Sequence, residues 1–251
     1  MSVADKIVLV TGACSGIGRA LCDELLKNSI KGLLAWDLHS SEPESVAKWK
    51  KDYPKISIKY MNVDVSIPEK VKLAYESVSS IDIVINCAGI MDESEFKKTI
   101  DINLGGVVAS TLSALELMRK DKGGNGGIIV NIASVVGIHA ASFLPTYSAT
   151  KHGVIAFHRS LAHEHESLGI KFICICPGFT TTSLYDNNTK DGFYFMYNKE
   201  KQTEVRKLFK PQTADVIAAG LVKLLNDGIN GSVWIIEGGE WKEEVYPKLR
   251  Y

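Results

Sequence analysis

The chain has 251 residues, 45% of them hydrophobic, enough to bury a sizeable core within one α/β domain. Its 29 Lys and Arg balance 29 Asp and Glu, so no net field attracts nucleic acid or an anionic membrane, and neither is expected as a partner. Five cysteines without a C-x-x-C pair point away from a zinc or dithiol redox site and towards reduced thiols in a cytoplasmic protein.

Met1–Lys6 leads directly into Ile7–Val10, an apolar run too short for a signal peptide or membrane span, which reads as the first strand. Further strands are predicted at Gly32–Trp36, Ile56–Met61, Ile81–Ile85, Gly127–Ile132, Lys171–Cys176 and Ser232–Ile236, from their β-branched and aliphatic runs. Helical spacing of apolar residues occurs between them, at Arg19–Lys27, Val71–Ser77, Asn103–Arg119, Tyr147–Ser167 and Ala214–Leu225. This alternation predicts one α/β domain over residues 1–251, a doubly wound parallel sheet of about seven strands with helices on both faces. From Thr181 to Pro211 the rhythm fails and aromatics accumulate (Tyr185, Phe193, Tyr194, Phe195, Tyr197), as in a long functional loop.

Thr11-Gly-Ala-Cys-Ser-Gly-Ile-Gly18 follows the first strand and opens the first helix, where a glycine turn lets the backbone approach a pyrophosphate. Asp37 ends the second strand, about 20 residues beyond that turn, where a carboxylate accepts hydrogen bonds from ribose hydroxyls and repels a 2′-phosphate. With no cation contributed by Ser15, this selects NAD over NADP. Tyr147-Ser-Ala-Thr-Lys151 opens a helical segment and puts a phenol and an ammonium on one face; a nearby cation favours phenolate.

The turn, the acidic strand end and the Tyr/Lys pair, in that order, resemble the short-chain dehydrogenases/reductases and imply their Rossmann fold. The likeness extends through Asn86-Cys-Ala-Gly89, Ile102-Asn-Leu-Gly105, Asn131-Ile-Ala-Ser134 and Pro177-Gly-Phe-Thr180, followed by Thr182. It implies a catalytic set of Asn103, Ser134, Tyr147 and Lys151. Ser134 would hydrogen-bond the substrate oxygen, and Tyr147 would take or give its proton. Lys151 would hold the nicotinamide ribose and lower the Tyr147 pKa, and Asn103 would position a water. The NAD-binding residues implied are Gly12, Ser15, Gly16, Ile17, Gly18, Asp37, Asp64, Val65, Asn86, Ala88, Gly89, Tyr147, Lys151, Pro177, Gly178, Thr180 and Thr182. Cys87 stands where the family usually has a second Asn, and the glycine spacing differs from that of the related sugar epimerases.

Local strings, among them Met91-Asp-Glu-Ser-Glu-Phe-Lys-Lys-Thr-Ile100 and Asn230-Gly-Ser-Val-Trp234, resemble insect alcohol dehydrogenases and hydroxyprostaglandin dehydrogenases. A secondary alcohol is the implied substrate and a homodimer or homotetramer the implied assembly, joined through the Asn103–Arg119 and Tyr147–Ser167 helices. Residues 181–211 become the substrate lid, whose aromatics either form a lipophilic wall or pack the lid onto the body. His139 and Phe143 are pocket candidates by position. The tail from Trp241 to Tyr251 is expected over a lid. Cys14, at a helix N-terminus, is expected to be an acidic, oxidation-sensitive thiol. Cys174 and Cys176 are expected to pack as small hydrophobes, and His163-Glu-His165 is not expected to bind a metal. The competing reading is a catalytically silent NAD-binding sensor or storage protein of the same fold.

Overall fold

Val8–Val10, Ile83–Ile85 and Ile128–Val130 are apolar on both faces and lie wholly inside the protein, which only a sheet covered by helices on both sides permits. The computed structural model describes residues 3–163, 165–184 and 210–247. Its strands β1 (Ile7–Thr11), β2 (Gly32–Asp37), β3 (Ser57–Asn62), β4 (Ile83–Asn86), β5 (Gly127–Ile132), β6 (Ile170–Pro177) and β9 (Ser232–Glu237) are all parallel. The sheet order is β10-β9-β6-β5-β4-β1-β2-β3. The chain moves outward from β1 to β3, then returns to add β4 on the other flank of β1. That reversal leaves a crevice at the carboxyl ends of β1 and β4, where α/β sheets bind ligands.

Helices α1 (Gly16–Lys27) and α8 (Ala214–Asp227) pack together on one face, burying Leu21, Leu25, Leu221 and Leu225 against Val8, Val10 and Ile85. On the other face, α3 (Pro68–Glu76) and α5 (Val107–Met118) bring Val71, Tyr75, Ala114 and Met118 onto Trp36, Val84 and Phe172. Residues 96–118 contain an 18-residue stretch apolar enough by composition to cross a membrane, but Val107, Ala114, Leu115 and Met118 of this segment are buried in the protein core. The remaining helices are α2 (Glu44–Asp52), α4 (Phe96–Ile100), α6 (Pro145–Ala162) and the single turn α7 (His165–Leu168).

All seven predicted strands are present. The start of the tail, expected over a lid from Trp241 onwards, instead lies in β10 (Glu240–Glu244), an antiparallel edge strand on β9. Trp241 lies against Gly220 of α8, so the start of the tail belongs to the sheet. Farther on, Arg159 of α6 stacks 4.1 Å from the Tyr246 ring and donates to the Pro247 carbonyl at 2.9 Å. The helix predicted over 103–119 is in fact the end of a π-helical segment (Asp101–Gly106), which continues from α4, followed by α5. The predicted lid is bracketed by a two-stranded parallel ladder, β7 (Thr180–Thr181) with β8 (Gln212–Thr213), which draws its ends together. The lid's aromatics lie outside the described residues.

His158 of α6 has no exposure and packs edge-on against Phe172 at 6.2 Å. The backbone of Gly231 and Ser232 lies beside the ring, yet neither nitrogen completes a well-aligned hydrogen bond. Burial pushes its pKa down to about 4. In the unfolded chain the imidazole titrates near 6.5, so its contribution is intact above that pH and declines as pH falls towards 4. The loss is at most about 3 kcal/mol. Urea unfolding of His158→Phe at pH 4.5 and 7.5 should show a smaller stability difference than the parent chain, and an identical difference would remove His158 from the acid response.

Candidate active site

The site begins with glycine. Gly12 has φ +67°, and a Cβ there would lie 2.9 Å from the Ala88 Cα; a Cβ at Gly18 would lie 2.0 Å from the Gly12 carbonyl oxygen. These positions let β1, α1 and the end of β4 close upon one another. Thr11 completes the joint, its hydroxyl accepting from the Cys87 and Ala88 amides at 3.0 and 3.1 Å. At the start of α1, Ser15 is the N-cap but makes no side-chain cap, leaving backbone N–H groups to face the crevice.

Asp37 accepts from the Cys14 amide at 2.8 Å and the Leu38 amide at 2.7 Å, fixing its carboxylate beside the glycine turn. This proximity corrects the expectation for Cys14. Burial, then the Asp37 charge, push its thiol up to about 12, the opposite of an activated thiolate.

A cavity of about 350 Å³ runs from this turn to the end of α6. It is lined by Gly12, Ser15, Gly16, Ile17, Gly18, Ala88, Gly89, Ser134, Tyr147, Lys151, Pro177, Gly178, Thr180 and Thr182, all anticipated from sequence. The predicted Asp37, Asp64, Val65, Asn86 and Asn103 are not among the residues lining it. Asn86 turns away into the core, donating to Thr111 at 3.0 Å and Asn131 at 2.9 Å, which corrects its expected place on the cofactor wall. Asp64 closes an Asx turn onto Ser66, and Val65 packs beside Gly106. His139 is exposed and also lies off the cavity wall, whereas Phe143 lies on it. Ile90, Met91, Val136, Leu144 and Phe179 line the cavity without having been anticipated. They are apolar residues beside recognised motifs, and no sequence period separates them from core residues.

Tyr147 and Lys151 lie one turn apart on α6, both buried, with the Lys151 Nζ 5.5 Å from the centre of the phenol ring. Lys151 donates to the Ile132 carbonyl at 3.0 Å, and burial lowers its pKa. Burial also raises the Tyr147 pKa, with the Ser134 hydroxyl as the opposing hydrogen-bond partner. In the protein alone the shift therefore runs opposite to the lowering expected from Lys151. Asn103 sits in the π-helical segment with no exposure; its carboxamide accepts from the Ile90 amide and donates to the Ile90 carbonyl, both at 2.8 Å. Its Nδ2 also reaches Thr150 Oγ1 at 3.3 Å, and Thr150 donates to the Tyr147 carbonyl at 2.7 Å. Burial holds Cys87 at about 12, so it is a neutral wall residue. Cys174 and Cys176 are packed in the core behind the site, as expected. Among the described residues no cluster of His, Cys, Asp or Glu could hold a metal ion.

An anion-ready helix start, a carboxylate at the next strand end, and a half-buried Ser with a buried Tyr and Lys in one cavity define a dinucleotide-dependent oxidoreductase. The short chain dehydrogenase family model matches residues 6–192, and the chain belongs to that family. Alcohol dehydrogenase 1 of Ceratitis cosyra is 35% identical over 260 residues, covering 100% of both proteins. The 15-hydroxyprostaglandin dehydrogenase [NAD(+)] of Macaca fascicularis is 34% identical over 244 residues, 93% of this chain and 91% of that protein. The crystal structure of levodione reductase superposes with a TM-score of 0.81 at 30% identity, covering 94% of this chain and 97% of that one. The protein is thus an oxidoreductase acting on CH–OH groups and their carbonyl partners.

The residues present fit a nicotinamide dinucleotide. The open N–H groups of α1 suit its pyrophosphate, and Gly12, Gly16 and Gly18 present bare backbone to the cavity. When bound, the nicotinamide exchanges hydride with the substrate carbon. Ser134, Tyr147 and Lys151 line that cavity together; by the family's pattern Ser134 would hold the substrate oxygen, Tyr147 would move its proton, and Lys151 would hold positive charge beside the phenol. With Tyr147 as acid/base, burial that raises the phenol pKa would keep it protonated near pH 7, and alcohol oxidation, which needs phenolate, should gain as pH rises. For oxidation, kcat/KM should climb about tenfold per pH unit on the acid limb. Tyr147→Phe should lower turnover by about 10²–10⁴-fold while bound cofactor still quenches protein fluorescence. Wild-type turnover in that variant would exclude the phenol as acid/base.

Proposed function

We propose that the protein is an NAD-dependent dehydrogenase of lipophilic secondary alcohols, interconverting them with ketones. The observation that carries the cofactor choice is the Asp37 carboxylate, held by the Cys14 and Leu38 amides where a 2′-phosphate would have to enter. The described residues closest to it supply no arginine or lysine hydrogen bond to neutralise it. The NAD(+) in the name of the prostaglandin relative agrees with this choice.

The substrate class rests on the wall facing Tyr147. Leu144 and Tyr147 cluster with Met91, Val136, Ala141 and Phe143, so a substrate oxygen bonded to Ser134 carries its carbon substituents into apolar surroundings. Such a wall rewards alkyl or aryl groups over hydroxylated ones. Intact Asn103, Ser134, Tyr147 and Lys151 weigh against a silent sensor or storage protein.

A homodimer or homotetramer formed through α5 and α6 completes the reading. Phe96, Ile100 and Leu112 are 60%, 42% and 48% exposed on α4 and α5, an apolar presence on one of these helices suited to a partner's surface.

The test is a panel of propan-2-ol, octan-2-ol, cyclohexanol and 1-phenylethanol with NAD and with NADP, following absorbance of the reduced cofactor. Turnover should favour the larger alcohols, and NAD over NADP by about tenfold or more; Asp37→Asn should narrow the cofactor gap. Preference for NADP would overturn the cofactor assignment. Cofactor binding without turnover of any alcohol or ketone would favour the silent alternative.

A further inference from the structure

The catalytic helix lacks a cap of its own. Its N-cap position is Leu144, which has no side-chain acceptor, and Pro145 supplies the first helical residue. The next two amides, of Thr146 and Tyr147, are orphan donors of the first turn. Both are satisfied from 53 and 54 residues away: Glu93 Oε2 accepts from Thr146 N and Glu93 Oε1 from Tyr147 N, each at 2.9 Å. Glu93 is itself 8% exposed, an unusual burial for a carboxylate unless every part of it is paired.

The segment carrying Glu93 is fixed on both sides. Asp92 accepts from the amides of Ser94 and Glu95, and Thr99 of α4 donates to the Asp92 carbonyl at 2.6 Å. Met91, two residues before Glu93, lies on the cavity wall and packs with Leu144 and Tyr147. One short loop therefore touches the substrate space with Met91 and grips the backbone of the acid/base residue with Glu93.

We propose that Glu93 is a positioning residue for the reaction, setting the height of the α6 terminus and thus the place of the Tyr147 phenol against Ser134. This inference rests on Tyr147 being the acid/base. A carboxylate is required because its two equivalent oxygens meet two N–H donors. An amide at the same place offers one oxygen and turns its NH₂ towards the second N–H, leaving that donor unpaired in a buried position. The charge also complements the positive end of the helix. Displacement of a reacting group by about 1 Å is enough to reduce turnover by about a hundredfold, so small movements of this terminus matter.

The test compares Glu93→Gln, Glu93→Asp and Tyr147→Phe with the parent enzyme, using NAD and whichever panel alcohol turns over fastest. Active sites are counted by fluorescence titration with NADH, so that kcat is expressed per cofactor-binding site and loss of folded protein does not mimic loss of catalysis. Glu93→Gln should lower kcat by about 10- to 100-fold at unchanged cofactor affinity. It should also enlarge the isotope effect on kcat with the alcohol deuterated at its carbinol carbon, because the chemical step becomes slower. Glu93→Asp, which keeps charge and both oxygens on a shorter arm, should recover part of the rate. A kcat per site within twofold of the parent in Glu93→Gln, with the same isotope effect, overturns the proposal. If neither Glu93 variant binds cofactor, the residue is an element of folding and the proposal also falls. Full activity in Tyr147→Phe would instead sink the acid/base reading on which it rests.

Discussion

The closure of β1 and α1 onto the end of β4 is the constraint on which the site depends. It leaves no room for a single extra carbon: a methyl at Gly18 would lie 2.0 Å from the Gly12 carbonyl oxygen, and one at Gly12 would meet the Ala88 Cα at 2.9 Å. Thr11, at the end of β1, ties that strand to the β4 extension by accepting both the Cys87 and Ala88 amides with one hydroxyl. From that joint the rest follows geometrically. The α1 terminus faces the crevice, β2 ends beside it so that Asp37 reaches the Cys14 amide, and the β4 extension delivers Cys87 to Ile90 as a wall opposite the catalytic helix.

The second requirement is that polar groups within this closed wall be paired. Lys151 finds the Ile132 carbonyl, Asn103 takes both backbone groups of Ile90, and Thr150 links Asn103 to the Tyr147 carbonyl. These bonds join four separated stretches of chain, at Ile90, Asn103, Ile132 and 147–151, so the site is held by tertiary contacts and not by one helix alone. Burial then acts in opposite senses on the phenol and the ammonium, raising the first and lowering the second. Both shifts disfavour charge, which makes the pair responsive to any further charge brought into the cavity.

Much of this was legible from the chain because the strands are continuous apolar runs and the turn at Thr11–Gly18 has a spacing tied to its location between strand and helix. The catalytic group was legible only through the combined motifs; a phenol four residues before a lysine is by itself a common helical pair. What escaped was set by partners distant in sequence. Asn86 carries the family's residue, yet its amide is claimed by Thr111 and Asn131 on the core side. Cys14 has the helix terminus expected to acidify it, but Asp37 lies alongside and burial dominates. β10 was hidden because Glu240–Glu244 is a polar edge strand whose pairing with β9 is its main structural signal. Glu93 looked like one of several acidic residues in a loop, and nothing local reveals that its oxygens meet the start of α6.

The inner face of α6 carries the Tyr147 and Lys151 groups on the same stripe that packs the core. Tyr147, Lys151, Val154, Ile155, His158 and Ala162 recur at helical spacing and are all buried, the stripe an ordinary core helix would present to a sheet. Three of its six positions carry polar groups. Tyr147 is answered by Ser134 and Lys151 by Ile132, whereas His158, farthest from the cavity, is left neutral beside Phe172. A chain optimised for burial alone would fill these positions with leucine or methionine. The catalytic end can retain its polar groups because the surrounding loops supply partners to side chains and backbone alike, Ser134 from the end of β5 and Glu93 from the end of β4. Tyr147 and Lys151 thus keep their polarity in core positions where the fold brings a group to meet each, whereas His158, without a completed hydrogen bond, is held in its neutral form.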